Sequence, residues 1–259
     1  MKKIFLAAIL VFLCQVYKAQ AYVVDGNLSD WGVSLTAPGA DKRHYLDTHT
    51  PTGPTVDYVT KDNAQAGDGF VYVGPGYSIG NTYDAEAMYF DTTTTNAYLA
   101  IVTGLPQTEI TYPAGDIFID TGKYQDPHSA FYDPKKYEYG IDISTSKLYK
   151  VDSWDDTVIF HSSDPWRIGP SRTYLAGVPF VYSGNQNSHY VLESEFPLNA
   201  LNLKNGDAVY LHWTMKCGND ALNLKGSVDA VPEPASVALL ACGLLFTMGL
   251  KRLRMKKIA

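Results

Sequence analysis

Acidic and amide side chains recur at the ends of segments that read as strands. Carboxylate and carbonyl oxygens are the ligands that Ca²⁺ takes, roughly six to eight at a time. The sequence therefore predicts at least one calcium site, although the same side chains also cap turns by accepting backbone N–H groups. The candidate ligands are Asp25, Asn27, Asp30, Asp84, Glu86, Asp116, Asp120, Asn219 and Asp220.

The first of these groups only partly matches an EF-hand loop. Asp25, Asn27 and Ser29 have its alternating oxygens. However, Asp30 stands at the sixth position, where the loop needs glycine, and Thr36 stands at the twelfth, where it needs glutamate. The pattern therefore excludes an EF-hand.

Two tryptophans are candidates for contact with sugars. Trp154 and Trp166 lie in loop-like surroundings with carboxylates nearby. An exposed aromatic face can stack on the apolar face of a sugar ring, while carboxylates accept its hydroxyl hydrogens. The alternative is that each ring packs over a loop. Trp213 is predicted to lie in the core because it is on the apolar face of a strand. Trp31 follows the opening turn and is predicted to plug an end of the sandwich.

Catalytic patterns are weak in this chain. Ser78 stands in a G-x-S-x-G pentapeptide, but Gly74-Pro75 precedes it and a strand pattern follows, whereas a nucleophile elbow lies between a strand and a helix. The six histidines show no metal-binding spacing such as H-E-x-x-H, so a structural or surface role is predicted for each. His212 lies on the face of its strand opposite the apolar one and is expected near solvent. A secreted hydrolase is the least favoured hypothesis, and no enzyme is predicted.

The N-terminus has the three parts of a secretory signal peptide. Lys2 and Lys3 form its basic region, and residues 4–13 form its apolar region. Ala19 and Ala21 form a small-x-small cleavage site, so residues 1–21 are predicted to be removed by signal peptidase.

The C-terminal residues 231–259 also fall into three parts. Pro232, Glu233 and Pro234 precede an uncharged apolar run over residues 235–250, and five basic residues follow it. The run is predicted to form a short transmembrane helix of about 24 Å, and the basic end is expected to stay in the cytoplasm. This layout resembles the PEP-CTERM sorting signal of Gram-negative bacteria; the alternative is an ordinary anchor that is never cut.

That resemblance implies a route for the protein. An exosortase-type membrane enzyme would recognise the Pro-Glu-Pro motif while the chain is transiently anchored in the inner membrane. The product would then reach the cell surface or the extracellular matrix.

Residues 22–230 are expected to form one acidic domain. They carry 13 basic and 26 acidic residues, a balance that excludes a nucleic-acid partner. Cys217 is the single cysteine of this part, so no disulfide can form within it.

The domain has the pattern of an all-β protein. It is rich in Tyr, Thr, Val and Gly and lacks a long run of period 3.6. The strongest strand signal is residues 208–217, in which Val209, Leu211, Trp213, Met215 and Cys217 share one face. Many short strands between turn residues predict an antiparallel β-sandwich. The other predicted strands are 70–73, 86–90, 97–103, 116–120, 138–143, 147–151 and 190–196, with a helical turn at 197–201. The strands 86–90 and 97–103 are predicted to form a hairpin joined by the loop 91–96.

The domain also resembles family-nine carbohydrate-binding modules. The resemblance is carried by Asp25-Gly-Asn-Leu-Ser-Asp-Trp31, by the segments 84–91 and 98–102, and by Gly115-Asp-Ile-Phe-Ile-Asp120. It implies a jelly-roll-like sandwich, often with structural calcium and sometimes with bound sugar chains. We therefore expect a non-catalytic, exported protein that binds extracellular polysaccharide; the alternative is a purely structural matrix component.

Overall fold

Antiparallel strands make up nearly all the regular structure in the part of the chain that is described. The computed structural model describes residues 22–35, 49–53, 55–60, 83–121, 137–157, 163–186, 189–218 and 220–229. A 3₁₀ turn spans Leu198–Leu201. The strands are β1 (Asp57–Thr60), β2 (Ala85–Thr92), β3 (Asn96–Thr103), β4 (Ile117–Asp120), β5 (Tyr139–Asp142), β6 (Lys147–Val151), β7 (Trp154–Asp155), β8 (Arg167–Ile168), β9 (Arg172–Gly177), β10 (Phe180–Gln186), β11 (His189–Pro197), β12 (Ala208–Thr214) and β13 (Ala221–Ser227).

The strands form two large sheets and one small one. The five-stranded sheet has the order β1-β2-β3-β11-β10, and the six-stranded sheet has the order β13-β12-β4-β5-β6-β9. Strands β7 and β8 pair separately. The two large sheets share one apolar core, which confirms an all-β antiparallel fold and is consistent with a β-sandwich.

The core is filled by alternating residues of both sheets. On β12, Val209, Leu211 and Trp213 point into it, as their spacing predicts. Met88 and Phe90 on β2 face them from the other sheet. The predicted hairpin of β2 and β3 is confirmed, with Phe90 opposite Leu99.

The outer face of the five-stranded sheet is covered by the N-terminal segment 22–35. Trp31 is 1% exposed and lies in a second apolar cluster with Tyr89 and Val102. It is therefore buried on the outer face of this sheet and not at an end of the sandwich as predicted. Its Nε1 donates to Oε1 of Glu193 at 2.8 Å, and the N–H of Gly26 donates to Oε2 at 2.6 Å. Gly26 has a φ of 80°, which favours glycine in this turn. Glu193 therefore fastens the segment to the sheet.

Two buried carboxyls should make the protein more stable in mild acid. Burial raises the pKa of Glu193 from 4.5 to about 7 and that of Asp116 from 3.8 to about 7. A raised pKa means that the folded state holds the proton more tightly, so stability is full below the unfolded pKa and is lost as pH rises through 7. For Glu193 the difference is on the order of 3 kcal/mol.

We therefore expect the melting temperature to fall between pH 5 and pH 8. In the variant Glu193→Gln the melting temperature should fall less steeply with pH. Asp116, and Asp30 and Asp57, whose pKa values burial also raises, should supply the remainder. A melting temperature that rises over this interval in the parent protein, measured by circular dichroism in buffers of equal ionic strength, would contradict the assignment.

Several sequence predictions lie outside the described residues. They are the signal peptide with Ala19 and Ala21, the sorting motif of Pro232, Glu233 and Pro234 with its helix and basic tail, the strand at 70–73, and Ser78. Within the described ranges, no helix has the length and apolar character needed to cross a bilayer.

Candidate functional site

Trp154 is presented to solvent from a small sheet beside the six-stranded one. Strand β7 pairs it with Ile168 of β8. Its ring centroid lies 4.8 Å from that of Phe118 at 67° and 6.3 Å from that of Tyr137 at 83°. These edge contacts fix the half-buried indole without covering it fully.

An open groove of about 560 Å³ lies along this ring. It carries both signs of charge: two carboxylates follow Trp154 in the chain, and two guanidiniums come from β8 and β9. The residues that line it are Trp154, Asp155, Asp156, Thr157, Arg167, Ile168, Gly169, Pro170 and Arg172. The site thus combines an aromatic ring with hydrogen-bond donors and acceptors.

The polar side chains of the groove are held in place. Nη1 of Arg172 donates to Oδ2 of Asp142 at 3.0 Å, and its guanidinium lies 4.4 Å from the centre of the Tyr149 ring. Burial alone would raise the pKa of Asp155, but hydrogen bonds from Thr157 outweigh it and lower the pKa. Asp155 is therefore a carboxylate at neutral pH.

Tyr174 is a second exposed aromatic near this groove. It stands on β9, two residues after Arg172, and is 57% exposed. Its ring makes an edge contact with that of Tyr149 at 6.1 Å. Sequence reasoning missed it because one tyrosine among many carries no signal of exposure.

Trp166 differs from Trp154. It is only 6% exposed, and Arg167 and Lys216 approach its ring at 5.7 and 5.8 Å. It lines a separate cleft of about 230 Å³ together with Asp116. The ring of Trp166 is therefore buried and offers no exposed face on which a sugar could stack, contrary to the prediction.

The N-terminal calcium candidates act mainly within their own loop. Oδ1 of Asp25 accepts the N–H of Asn27 at 2.8 Å, and Oδ1 of Asn27 accepts that of Ser29 at 3.1 Å. Oδ2 of Asp30 accepts the N–H of Val23 at 2.7 Å. These contacts match the turn-capping alternative.

The other candidates are distributed over the fold. Asp84 and Asp220 are neighbours, because Oδ2 of Asp220 accepts the N–H of Ala85 at 2.9 Å. Asp116 accepts the N–H groups of Ile143 and Ile168 at 3.1 and 2.8 Å. Asp120 is buried on β4. Asn219 lies outside the described residues.

Glu86 joins two histidines rather than the other acids. His49, Glu86 and His189 form a fully buried cluster whose ligand-type atoms all lie within 4.8 Å of one another. Sequence reasoning missed this cluster because its members stand far apart in the chain and no spacing connects them. The one signal available was an unusual pair of polar residues, Glu86 and His189, bordering apolar strands.

His212 is likewise buried rather than near solvent. It is 1% exposed, and its ring stacks on Tyr137 at 5.6 Å. The segment that contains Ser163 and Pro165 places its carbonyl oxygens 3.2 Å from Nε2. The outer face of β12 is therefore covered at this point.

Comparison with known proteins adds no relative. No protein-family model, curated protein or solved structure matches this chain.

Proposed function

We propose that this protein is an exported, non-catalytic domain that binds extracellular polysaccharide in the groove of Trp154. The observation that carries the proposal is the half-buried indole lying along an open groove that also presents Asp155, Asp156, Arg167 and Arg172. The jelly-roll-like form of the sandwich belongs to the same proposal.

The chemistry of the groove favours a neutral sugar chain. A sugar ring offers an apolar C–H face to the indole and hydroxyl groups to the polar rim. The lining carries two carboxylates and two guanidiniums, and one of the guanidiniums, that of Arg172, is already paired with Asp142. Neither a strongly acidic nor a strongly basic polymer is therefore favoured. The groove is open, as binding along a polymer requires.

The site is proposed to act outside the cytoplasm. Signal peptidase would release the chain at Tyr22, and an exosortase-type enzyme would process residues 231–259 after transient anchoring in the inner membrane. The mature protein would remain at the cell surface or in the matrix. The intact mass of the protein isolated from its host should correspond to a chain that begins at Tyr22 and lacks the C-terminal tail; a full-length mass in the cytosolic fraction would contradict this route.

Calcium is proposed as a stabilising ion rather than as part of the groove. Asp84 and Asp220 are the best placed of its candidate ligands because they are neighbours and buried. Removal of Ca²⁺ by a chelator should then lower the melting temperature. An unchanged melting temperature would favour the turn-capping role of these acids.

A glycan array, screened with and without chelator, separates this proposal from its structural alternative. The mature protein should bind one or more neutral polysaccharides, and binding should survive chelation if calcium only stabilises the fold. Failure to bind any glycan under both conditions would favour a purely structural matrix component.

A further inference from the structure

The cluster of His49, Glu86 and His189 has the composition of a transition-metal site. The three side chains are 0%, 3% and 0% exposed. Oε2 of Glu86 lies 3.1 Å from Nε2 of His49 and 2.6 Å from Nδ1 of His189. The two imidazole rings are nearly perpendicular, at 80°, with centroids 5.4 Å apart. Three nitrogen and oxygen atoms thus converge on one small volume.

A β-bulge accounts for the position of Glu86. Ala85 pairs with Thr103 and Ala87 pairs with Val102, so Glu86 is an extra residue in β2. Ala85 belongs to the inner core, whereas Ala87 belongs to the outer cluster. The bulge therefore changes the direction in which the side chains of this part of β2 point, as bulges often do beside functional sites.

The two histidines reach Glu86 from different elements. Tyr190 also pairs with Thr103, which brings the adjacent His189 on β11 to the level of the bulge. His49 belongs to the segment 49–53, and its carbonyl oxygen accepts the hydroxyl of Tyr89 at 2.6 Å. The cluster thus links the five-stranded sheet to this segment.

We propose that His49, Glu86 and His189 bind one divalent transition-metal ion, for which Zn²⁺ is the best fit. Two imidazole nitrogens and one carboxylate oxygen are ligands typical of zinc, whereas calcium takes oxygen ligands. Tetrahedral bonds of about 2.0–2.1 Å place ligand atoms about 3.3 Å apart. The observed 3.1 and 2.6 Å contacts would need to open by less than about 1 Å.

The surroundings of Glu86 supply a reason for a cation. A buried carboxylate is costly unless it is paired. The same three groups without metal would form a charged, hydrogen-bonded cluster, and this is the competing account that the experiment must exclude.

A metal ion here would also cross-link the segment 49–53 to the five-stranded sheet. Cys217 is the single cysteine of residues 22–230, so no disulfide within this part can join the segment 49–53 to the sheet. The ion would serve stability, and the inference is independent of sugar binding at Trp154.

The test is zinc binding by the full chain, purified in mild detergent with a histidine-free tag. After chelator treatment and dialysis, titration calorimetry should show about one Zn²⁺ per chain. At a zinc concentration of about 100 times the dissociation constant, the melting temperature should rise by about 5–10 °C. Zn²⁺ should give this rise even in buffer that already contains saturating Ca²⁺, and Co²⁺ should give the visible absorption of a nitrogen- and oxygen-ligated site.

The matched variants are Glu86→Gln and Glu193→Gln, two buried glutamates of the same sheet. Glu86→Gln should weaken zinc binding by at least about tenfold, whereas Glu193→Gln should retain it whatever its own stability. His49→Ala, outside the strands, gives the same test if Glu86→Gln does not fold. Zinc binding equal to the parent in either cluster variant, or no zinc binding by the parent, would overturn the inference.

Discussion

Replacement of Trp31 by alanine should lower the free energy of unfolding by about 3–5 kcal/mol, the usual cost of removing a buried tryptophan. The ring is 1% exposed and packs on Tyr22 and Tyr89, with centroids 4.2 and 6.0 Å away. The variant also removes the indole donor from Glu193, a buried carboxyl. Urea denaturation at constant pH should show the loss, and the melting temperature should fall by roughly 6–20 °C.

Trp31→Phe is the matched control for this result. It keeps most of the apolar contact and removes the 2.8 Å hydrogen bond to Glu193, so its cost should be about 1–3 kcal/mol. If Trp31→Ala costs no more than Trp31→Phe, then segment 22–35 does not depend on packing of this ring against the sheet.

Replacement of Trp154 by alanine should weaken polysaccharide binding by about 2 kcal/mol, or roughly 30-fold in the dissociation constant. The indole is the stacking surface of the groove, and the backbone pairing of β7 with β8 does not need its side chain. Titration calorimetry with the best glycan of the array measures the loss. Circular dichroism should show that the fold is retained.

Tyr58→Ala is the control for this variant. Tyr58 is also an exposed aromatic, at 44%, but it stands on β1 of the other sheet. Its replacement should leave the dissociation constant unchanged. Equal losses in the two variants would show that binding is not localised at the groove of Trp154.

The sequence pattern predicts the strands whose alternation is strong. The β2–β3 hairpin was predicted over 86–90 and 97–103, and each strand proved somewhat longer, at Ala85–Thr92 and Asn96–Thr103. The 3₁₀ turn at Leu198–Leu201 was also predicted. In these segments local propensity and burial favour the same structure, so few tertiary contacts are needed to decide it.

Features set by tertiary contacts were not predicted. His212 alternates with apolar residues along β12, a pattern that predicts a solvent-exposed side chain. Tyr137 and the segment around Pro165 nevertheless cover the His212 ring. The cluster of His49, Glu86 and His189 depends on strand pairing and on a bulge, neither of which leaves a pattern in the sequence. The difference in burial between Trp166 and the half-buried Trp154 is also set by tertiary contacts, so the sequence did not predict it.

Hydrogen–deuterium exchange with the bound polysaccharide tests the location of the proposed site most directly. Backbone amides of residues 154–157, 167–169 and 172 should become protected when the groove is filled, because these residues line it. The far edge of the five-stranded sheet, at β1, should be unaffected. Protection confined to other parts of the domain would contradict sugar binding at Trp154.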